Sequence, residues 1–235
     1  TVPAADGPWR YWTMFREGGE DPVYMRAPRA GGPEEIVFDG DAEKGASAYF
    51  RIGAVAHSPD HTLAAIAVDR VGSEFYTIAV RDLATGADLP HAVTSASGSG
   101  AVWTADSRAF FYIERDDSQR PKRVKLHRLG EDPAGDRIIY EEEDDGFFVS
   151  VRRSLSREFI FIESSSHTSS EIRFVRADAP DAEPVLVEPR TPDLEYSVEH
   201  RGELFYILTN ADGAVDFKVM TAPVAAPARA NWADF

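Results

Sequence analysis

Cysteine is absent from the 235 residues, so the chain has no disulfide, no thiolate nucleophile and no thiolate metal site, and a reducing compartment is compatible with it. Long apolar runs are missing too. None approaches the roughly 18 residues of a membrane span, and the stretch from Thr1 carries no signal-peptide pattern. Basic charge is scarce: 25 Lys and Arg stand against 40 Asp and Glu, a formal net charge of -15. The one basic cluster, Arg120-Pro121-Lys122-Arg123, runs into an alternating strand, so neither nucleic acid nor a membrane is an expected partner. Helical periodicity is nowhere sustained over three turns, which leaves an all-β chain. The six His residues are scattered, with no His-Glu-x-x-His and no calcium-loop spacing, and neither metal nor cofactor is expected.

What the chain does have is a phrase that recurs. His57-Ser58-Pro59-Asp60-His61-Thr62 is a turn leading into the apolar run 63–68; Trp103-Thr104-Ala105-Asp106-Ser107-Arg108 leads into 109–113, and Ser154-Leu155-Ser156-Arg157-Glu158 into 159–162. A weaker copy, Glu199-His200-Arg201-Gly202-Glu203, precedes 204–208. Aligned at Asp60, Asp106, Ser156 and Arg201, the copies step by 46, 50 and 45 residues, the period of a four-stranded propeller blade. With 43% hydrophobic content there is enough apolar matter for one continuous array over residues 1–235.

Half-buried alternation and turn residues divide the array into groups of strands. They are expected at 9–16, 23–26 and 34–39; at 49–56, 63–68, 75–82 and 91–94; at 100–103, 110–114, 124–129 and 137–140; at 147–151, 159–162, 171–175 and 184–187; and at 196–198, 204–208 and 217–220. This makes about five blades, the first lacking its inner strand and the last its outer one, with open edges that the rest of a longer protein or a partner has to cover. Ile66, Trp103, Phe111, Val149, Ile160 and Phe205 are expected between facing sheets, and Trp12 with the core rather than on a ligand.

Catalytic chemistry is hard to find. The nearest approaches to a Gly-x-Ser-x-Gly elbow, at Gly45-Ala46-Ser47-Ala48-Tyr49 and Ala96-Ser97-Gly98-Ser99-Gly100, each miss one glycine and lie on no strand-turn-helix unit. His57, Ser58 and Asp60 match a triad in composition, but neighbours at one strand end cannot converge as nucleophile, base and orienter. Asp39-Gly40-Asp41 with Glu43 reads as a solvated acidic turn. The run from Glu141 to Asp145 concentrates five carboxylates; Glu141, Glu142 and Asp145 are candidates for steering a cationic partner. Glu74, after Val71-Gly72-Ser73, is an exposed turn carboxylate with no packing role.

The ordered series of these segments resembles the N-terminal propeller of the prolyl oligopeptidase family, and within it the oligopeptidase B branch of serine peptidases. The resemblance rests on Tyr11-Trp12 with Asp21-Pro22-Val23-Tyr24, on Ser58-Pro59-Asp60, on Asp69-Arg70-Val71-Gly72-Ser73-Glu74-Phe75-Tyr76-Thr77 and on Arg81-Asp82-Leu83-Ala84-Thr85-Gly86. It continues in Tyr112-Ile113-Glu114-Arg115, Leu126-His127-Arg128-Leu129-Gly130, Asp145-Gly146-Phe147-Phe148-Val149-Ser150-Val151, Ser166-His167-Thr168-Ser169-Ser170-Glu171 and Glu195-Tyr196-Ser197-Val198-Glu199-His200.

The resemblance implies a seven-bladed, non-catalytic propeller. It caps an α/β-hydrolase domain that holds a Ser-Asp-His triad and lies elsewhere in the parent chain, and it admits only small peptides and opens like a hinged lid. It further implies cleavage after Arg or Lys, small basic peptides as partners, and Glu74 as a contact with the catalytic domain. This chain alone is not expected to hydrolyse anything. The alternative is a stand-alone propeller that binds a protein or peptide. A cytoplasmic location fits the lack of cysteine, with a periplasmic parent left open.

Overall fold

A computed structural model describes residues 1–235. The chain forms twenty strands in sequence order: β1 Ala4–Asp6, β2 Trp9–Met14, β3 Val23–Pro28, β4 Glu35–Asp39, β5 Arg51–His57, β6 Leu63–Asp69, β7 Tyr76–Asp82, β8 Val93–Ala96, β9 Val102–Trp103, β10 Ala109–Arg115, β11 Pro121–Arg128, β12 Arg137–Glu141, β13 Phe148–Arg153, β14 Phe159–Ser165, β15 Ser170–Arg176, β16 Val185–Glu188, β17 Tyr196–Arg201, β18 Leu204–Thr209, β19 Lys218–Pro223 and β20 Ala233–Asp234. Every pairing is antiparallel between neighbours in sequence, save one: β10 also meets β8, through the single pair Glu114 and Ala96. There are three four-stranded sheets (β1–β4, β13–β16, β17–β20) and one eight-stranded sheet that joins β5–β8 to β9–β12.

The first three apolar runs, in β6, β10 and β14, are central strands covered on both faces, so they are apolar throughout rather than alternating with polar residues; β18 buries Phe205 and Ile207 on one face and leaves Leu208 exposed on the other. Period two still operates, because successive side chains enter different cores. In β14, Phe159 and Phe161 pack with Phe205 and Ile207 of β18, while Ile160 and Ile162 pack with Phe111 and Ile113 of β10. In β10, Phe110 and Tyr112 turn the other way, toward Ala65 and Ala67 of β6; Ala64 and Ile66 of β6 then pack against Val37 and Phe38 of β4. The groups therefore stack face to face in chain order, with one core per interface. All six residues expected between sheets, Ile66, Trp103, Phe111, Val149, Ile160 and Phe205, are buried.

The recurring turn has a common mechanism. Ser58, Thr104 and Ser154 each accept a hydrogen bond from the backbone N–H five residues on, at Leu63, Ala109 and Phe159, at 3.0–3.2 Å. Three residues past each hydroxyl the backbone is left-handed, with φ of 63° at His61, 61° at Ser107 and 68° at Arg157. The hydroxyl thus closes a tight loop that feeds the chain back into the next strand. In the fourth copy, Gly202 at φ 63° does this without a hydroxyl.

Three expectations need correction. The first group does have its inner strand, β1, and the last its outer one, β20; at three and two residues they carry too little apolar pattern to be read, and pairing to β2 and β19 creates them. Residues 63–68 and 110–113 share a sheet, through the bridge at Glu114. The acidic turn at Asp39-Gly40-Asp41 is a one-turn helix, α1 Gly40–Lys44, because Asp39 caps it by accepting from the Ala42 N–H at 3.2 Å. At the end of β1, Asp6 meets His57 at 3.0 Å and Arg157 at 2.6 Å, the latter 151 positions away.

Candidate functional site

Because adjacent strands are antiparallel, the loops after β6 and β10 and the connections into β9 and β13 gather at one end of the sheets, opposite the recurring turns. Here Arg51, Tyr76, Ser97, Ser99 and Ser150 surround a cavity of about 430 Å³, and Glu74 and Arg115 stand in its wall. The Glu74 loop is organised from below by Asp69, which is 1% exposed. One oxygen of Asp69 accepts from the Val71 and Gly72 N–H groups, both at 2.9 Å, and the other from the Glu74 N–H at 2.8 Å. Burial pushes this carboxyl up, but the backbone donors outweigh it and hold it below the ordinary carboxylate value.

That clamp places Glu74 in a left-handed conformation, φ 61°, with its side chain 53% exposed. One carboxylate oxygen accepts from Arg115 Nη1 at 3.2 Å, and the Gln119 side-chain amide donates to the Ser73 carbonyl at 3.2 Å. Glu74 is therefore half engaged: one oxygen is held by Arg115, and the other has no hydrogen-bond partner within the chain. Arg115 Nε is buried without an acceptor. The floor of the cavity is close-packed, since a Cβ on Gly53 would sit 2.5 Å from the Gly98 carbonyl and one on Gly98 would meet the Tyr76 ring at 3.0 Å.

The acidic run at the same end does not behave as one patch. Glu142 is 4% exposed and is not a free carboxylate of the loop. It accepts from Arg190 at 2.7 Å, from the Tyr140 hydroxyl at 2.7 Å, from Ser164 Oγ and from the Asp144 N–H at 2.9 Å. Burial alone raises its pKa, yet Arg190, Ser164 and Tyr140 bring it down to about 2. Arg190 also reaches Glu171, itself bound to Arg173 at 2.5 Å, so one network joins the end of β12, β14, β15 and the segment before β17. Glu141 is paired with Arg123 at 3.0 Å. Of the three candidates only Asp145 is a largely exposed carboxylate, 80% exposed and 4.0 Å from Lys122. The residue that sequence reasoning missed is Arg190, whose partners are 19 and 48 positions away and leave no local signal.

His57, Ser58 and Asp60 do not assemble for catalysis. Ser58 is fully buried and donates to Asp60 at 2.5 Å, while the His57 ring turns to Asp6 and stacks on Tyr11 at 3.9 Å. No group of three His, Asp or Glu is arranged to hold a metal ion.

Comparison with known proteins agrees with this architecture over the whole length. Residues 1–235 match the family described as prolyl oligopeptidase, N-terminal beta-propeller domain. The chain is 37% identical to dipeptidyl aminopeptidase BI of Pseudoxanthomonas mexicana, aligned over 100% of this chain and 35% of that protein. With protease 2 of Moraxella lacunata it shares 33% identity, over 95% of this chain and 33% of the relative. Among solved structures, oligopeptidase B from Leishmania major superposes with a TM-score of 0.92 at 26% identity, covering 100% of this chain and 33% of that one. Oligopeptidase B from Trypanosoma brucei, in a closed form with covalently bound antipain, gives 0.88 at 29% identity, covering 97% and 32%. The chain spans about a third of the length of the curated relatives it matches. With four-stranded antiparallel sheets stacked in chain order and a family match from end to end, this chain belongs to the prolyl oligopeptidase family, as its N-terminal β-propeller domain, close to oligopeptidase B.

Proposed function

We propose that the chain is the non-catalytic, gating propeller of a serine oligopeptidase that resembles oligopeptidase B and cleaves small peptides after Arg or Lys. Its catalytic α/β-hydrolase domain lies elsewhere in the same parent chain. One observation carries the reading: the likeness to oligopeptidase B runs through all of this chain yet occupies 33% of the solved one. The twenty strands are read as five blades of seven, β1–β4, β5–β8, β9–β12, β13–β16 and β17–β20. The bridge between β8 and β10 is a contact between two blades, since it rests on one residue pair where β14 and β15 share seven.

The gate needs a contact that closes without locking. Glu74, with one oxygen on Arg115 and the other free, suits a second cation on the catalytic domain, and an exposed ion pair contributes only about 0.2–1 kcal/mol. The test takes the full-length protein in which this chain occurs and offers it an arginyl amide and the matching alanyl amide. Hydrolysis of the arginyl substrate alone is expected, lost when the serine of a Gly-x-Ser-x-Gly motif outside this chain is replaced. Glu74→Gln is expected to change kcat/KM by no more than about fivefold. A full-length protein with no such motif and no turnover overturns the reading in favour of a stand-alone binding propeller.

A further inference from the structure

A second cavity, of about 540 Å³, opens at the end with the recurring turns, where the first strands of four groups converge. Asp6 reaches it from β1, His57 from β5, Trp103 from β9 and Arg153 from β13, and Val55 and Val151 supply apolar wall between them. The charges there are unevenly matched. Three arginines line the cavity, Arg152, Arg153 and Arg157, against one carboxylate, Asp6. Arg152 is committed to Glu163 at 2.7 Å and Glu199 at 3.1 Å, and Arg157 to Asp6 at 2.6 Å.

Arg153 has no carboxylate. Its one hydrogen bond within the chain runs from Nε to the Arg157 carbonyl at 3.2 Å, which leaves both terminal guanidinium nitrogens with donors to spare. The residue is half-buried, and burial, with Arg157 alongside, holds the guanidinium below its ordinary pKa. A partly desolvated cation with a free planar fork is what a carboxylate recognises in bidentate fashion, and such charge-assisted bonds gain strength as water is excluded. The overall charge of -15 does not forbid an anion here, because beyond about 8–10 Å salt screens exposed charge at physiological ionic strength. Close to Arg153 the one carboxylate of the lining, Asp6, is already paired with Arg157 at 2.6 Å, so the Arg153 guanidinium is the uncompensated charge.

We propose that this cavity binds the C-terminal carboxylate of a short peptide, anchored by Arg153. The volume is of the size that encloses small organic ligands, so acetate would leave most of it unfilled, and the apolar wall offers contact to the side chain next to the carboxylate. Choosing a peptide as the bearer of the carboxylate rests on the function proposed above; the anion preference rests on Arg153 alone.

Calorimetric titration of the full-length protein with the tripeptide Ala-Ala-Leu, with its C-terminal amide and with sodium acetate separates the possibilities. The tripeptide has no Lys or Arg and is not a substrate of the proposed activity. The acid is expected to bind about tenfold more tightly than the amide, with the difference abolished in Arg153→Gln and partly kept in Arg153→Lys. Asp6→Asn, which removes the competing carboxylate, is expected to tighten binding of the acid; this arm stands even if the Arg153 variants fold poorly. Equal affinity for acid and amide, or an Arg153→Gln protein that still distinguishes them, overturns the proposal, as does acetate binding as tightly as the tripeptide. If arginyl amide is cleaved but acid and amide bind alike, the inference fails and the peptidase reading stands; discrimination without cleavage gives the reverse.

Discussion

Glu142 and Arg190 illustrate how much of this molecule depends on single residues far apart in sequence. Glu142 is 5% exposed at the side chain and Arg190 28%, so removing the carboxylate strands a cation that water can only partly recover. Glu142→Gln is expected to destabilise by about 3 kcal/mol, the low end for breaking a buried pair, because Arg190 retains Glu171. The same residue shapes the acid limb. Its folded pKa, about 2, lies below the ordinary 4.5, so its contribution is complete above pH 4.5 and is lost as pH falls toward 2. Burial lowers the pKa of His57 from its ordinary 6.5, which makes the contribution of the neutral ring complete above that pH and progressively lost below it. Thermal melts from pH 7 to pH 3 are expected to show falling stability through both windows, with the lower one flattened in Glu142→Gln. A curve of unchanged shape in that variant would sink the assignment.

Among the elements, the central strands were legible and the marginal ones were not. Runs such as Phe159 to Ile162 declare themselves because both of their faces are covered, whereas β1 and β20 take their conformation from a neighbour and α1 from a cap at Asp39. The spacing between elements is set where side chains are missing altogether. Gly53 in β5 lies against the Gly98 backbone in the connection to β9, and a methyl group there would stand 2.5 Å from a carbonyl oxygen and 2.8 Å from a Cα. Neither atom is the movable tip of a side chain. Gly53→Ala is therefore expected to cost about 1–3 kcal/mol by forcing these backbones apart, while Gly86→Ala, with open space around it, carries only the strain of φ 73°. Denaturant midpoints of the two variants check the order: if Gly53→Ala proves as stable as wild type, the close approach does not govern this interface.

For the whole molecule the governing quantity is charge. If the excess of carboxylates gathers cationic peptides, kcat/KM of the full-length protein for a dibasic peptide is expected to fall as salt rises, and that for a neutral peptide of equal length to stay nearly level. The structure changes which carboxylates to neutralise. Glu142 is spent on Arg190, Glu141 on Arg123 and Asp144 on Arg190 and the Gly146 N–H, so the variant to make combines Glu143→Gln with Asp145→Asn, both exposed. A salt dependence identical to wild type in the double variant makes this loop a solvated turn. The all-β class, the repeated turn, the central strands and the residues between sheets were readable from the sequence, because period-two patterning and local turn chemistry act over a few residues. Which carboxylates are free, which arginine of the second cavity lacks a carboxylate, and that Asp6 meets Arg157 across 151 positions were decided only by the tertiary structure. Charges pair through space at 3 Å or so, and a linear sequence carries no record of which loops the stacking of sheets will bring that close.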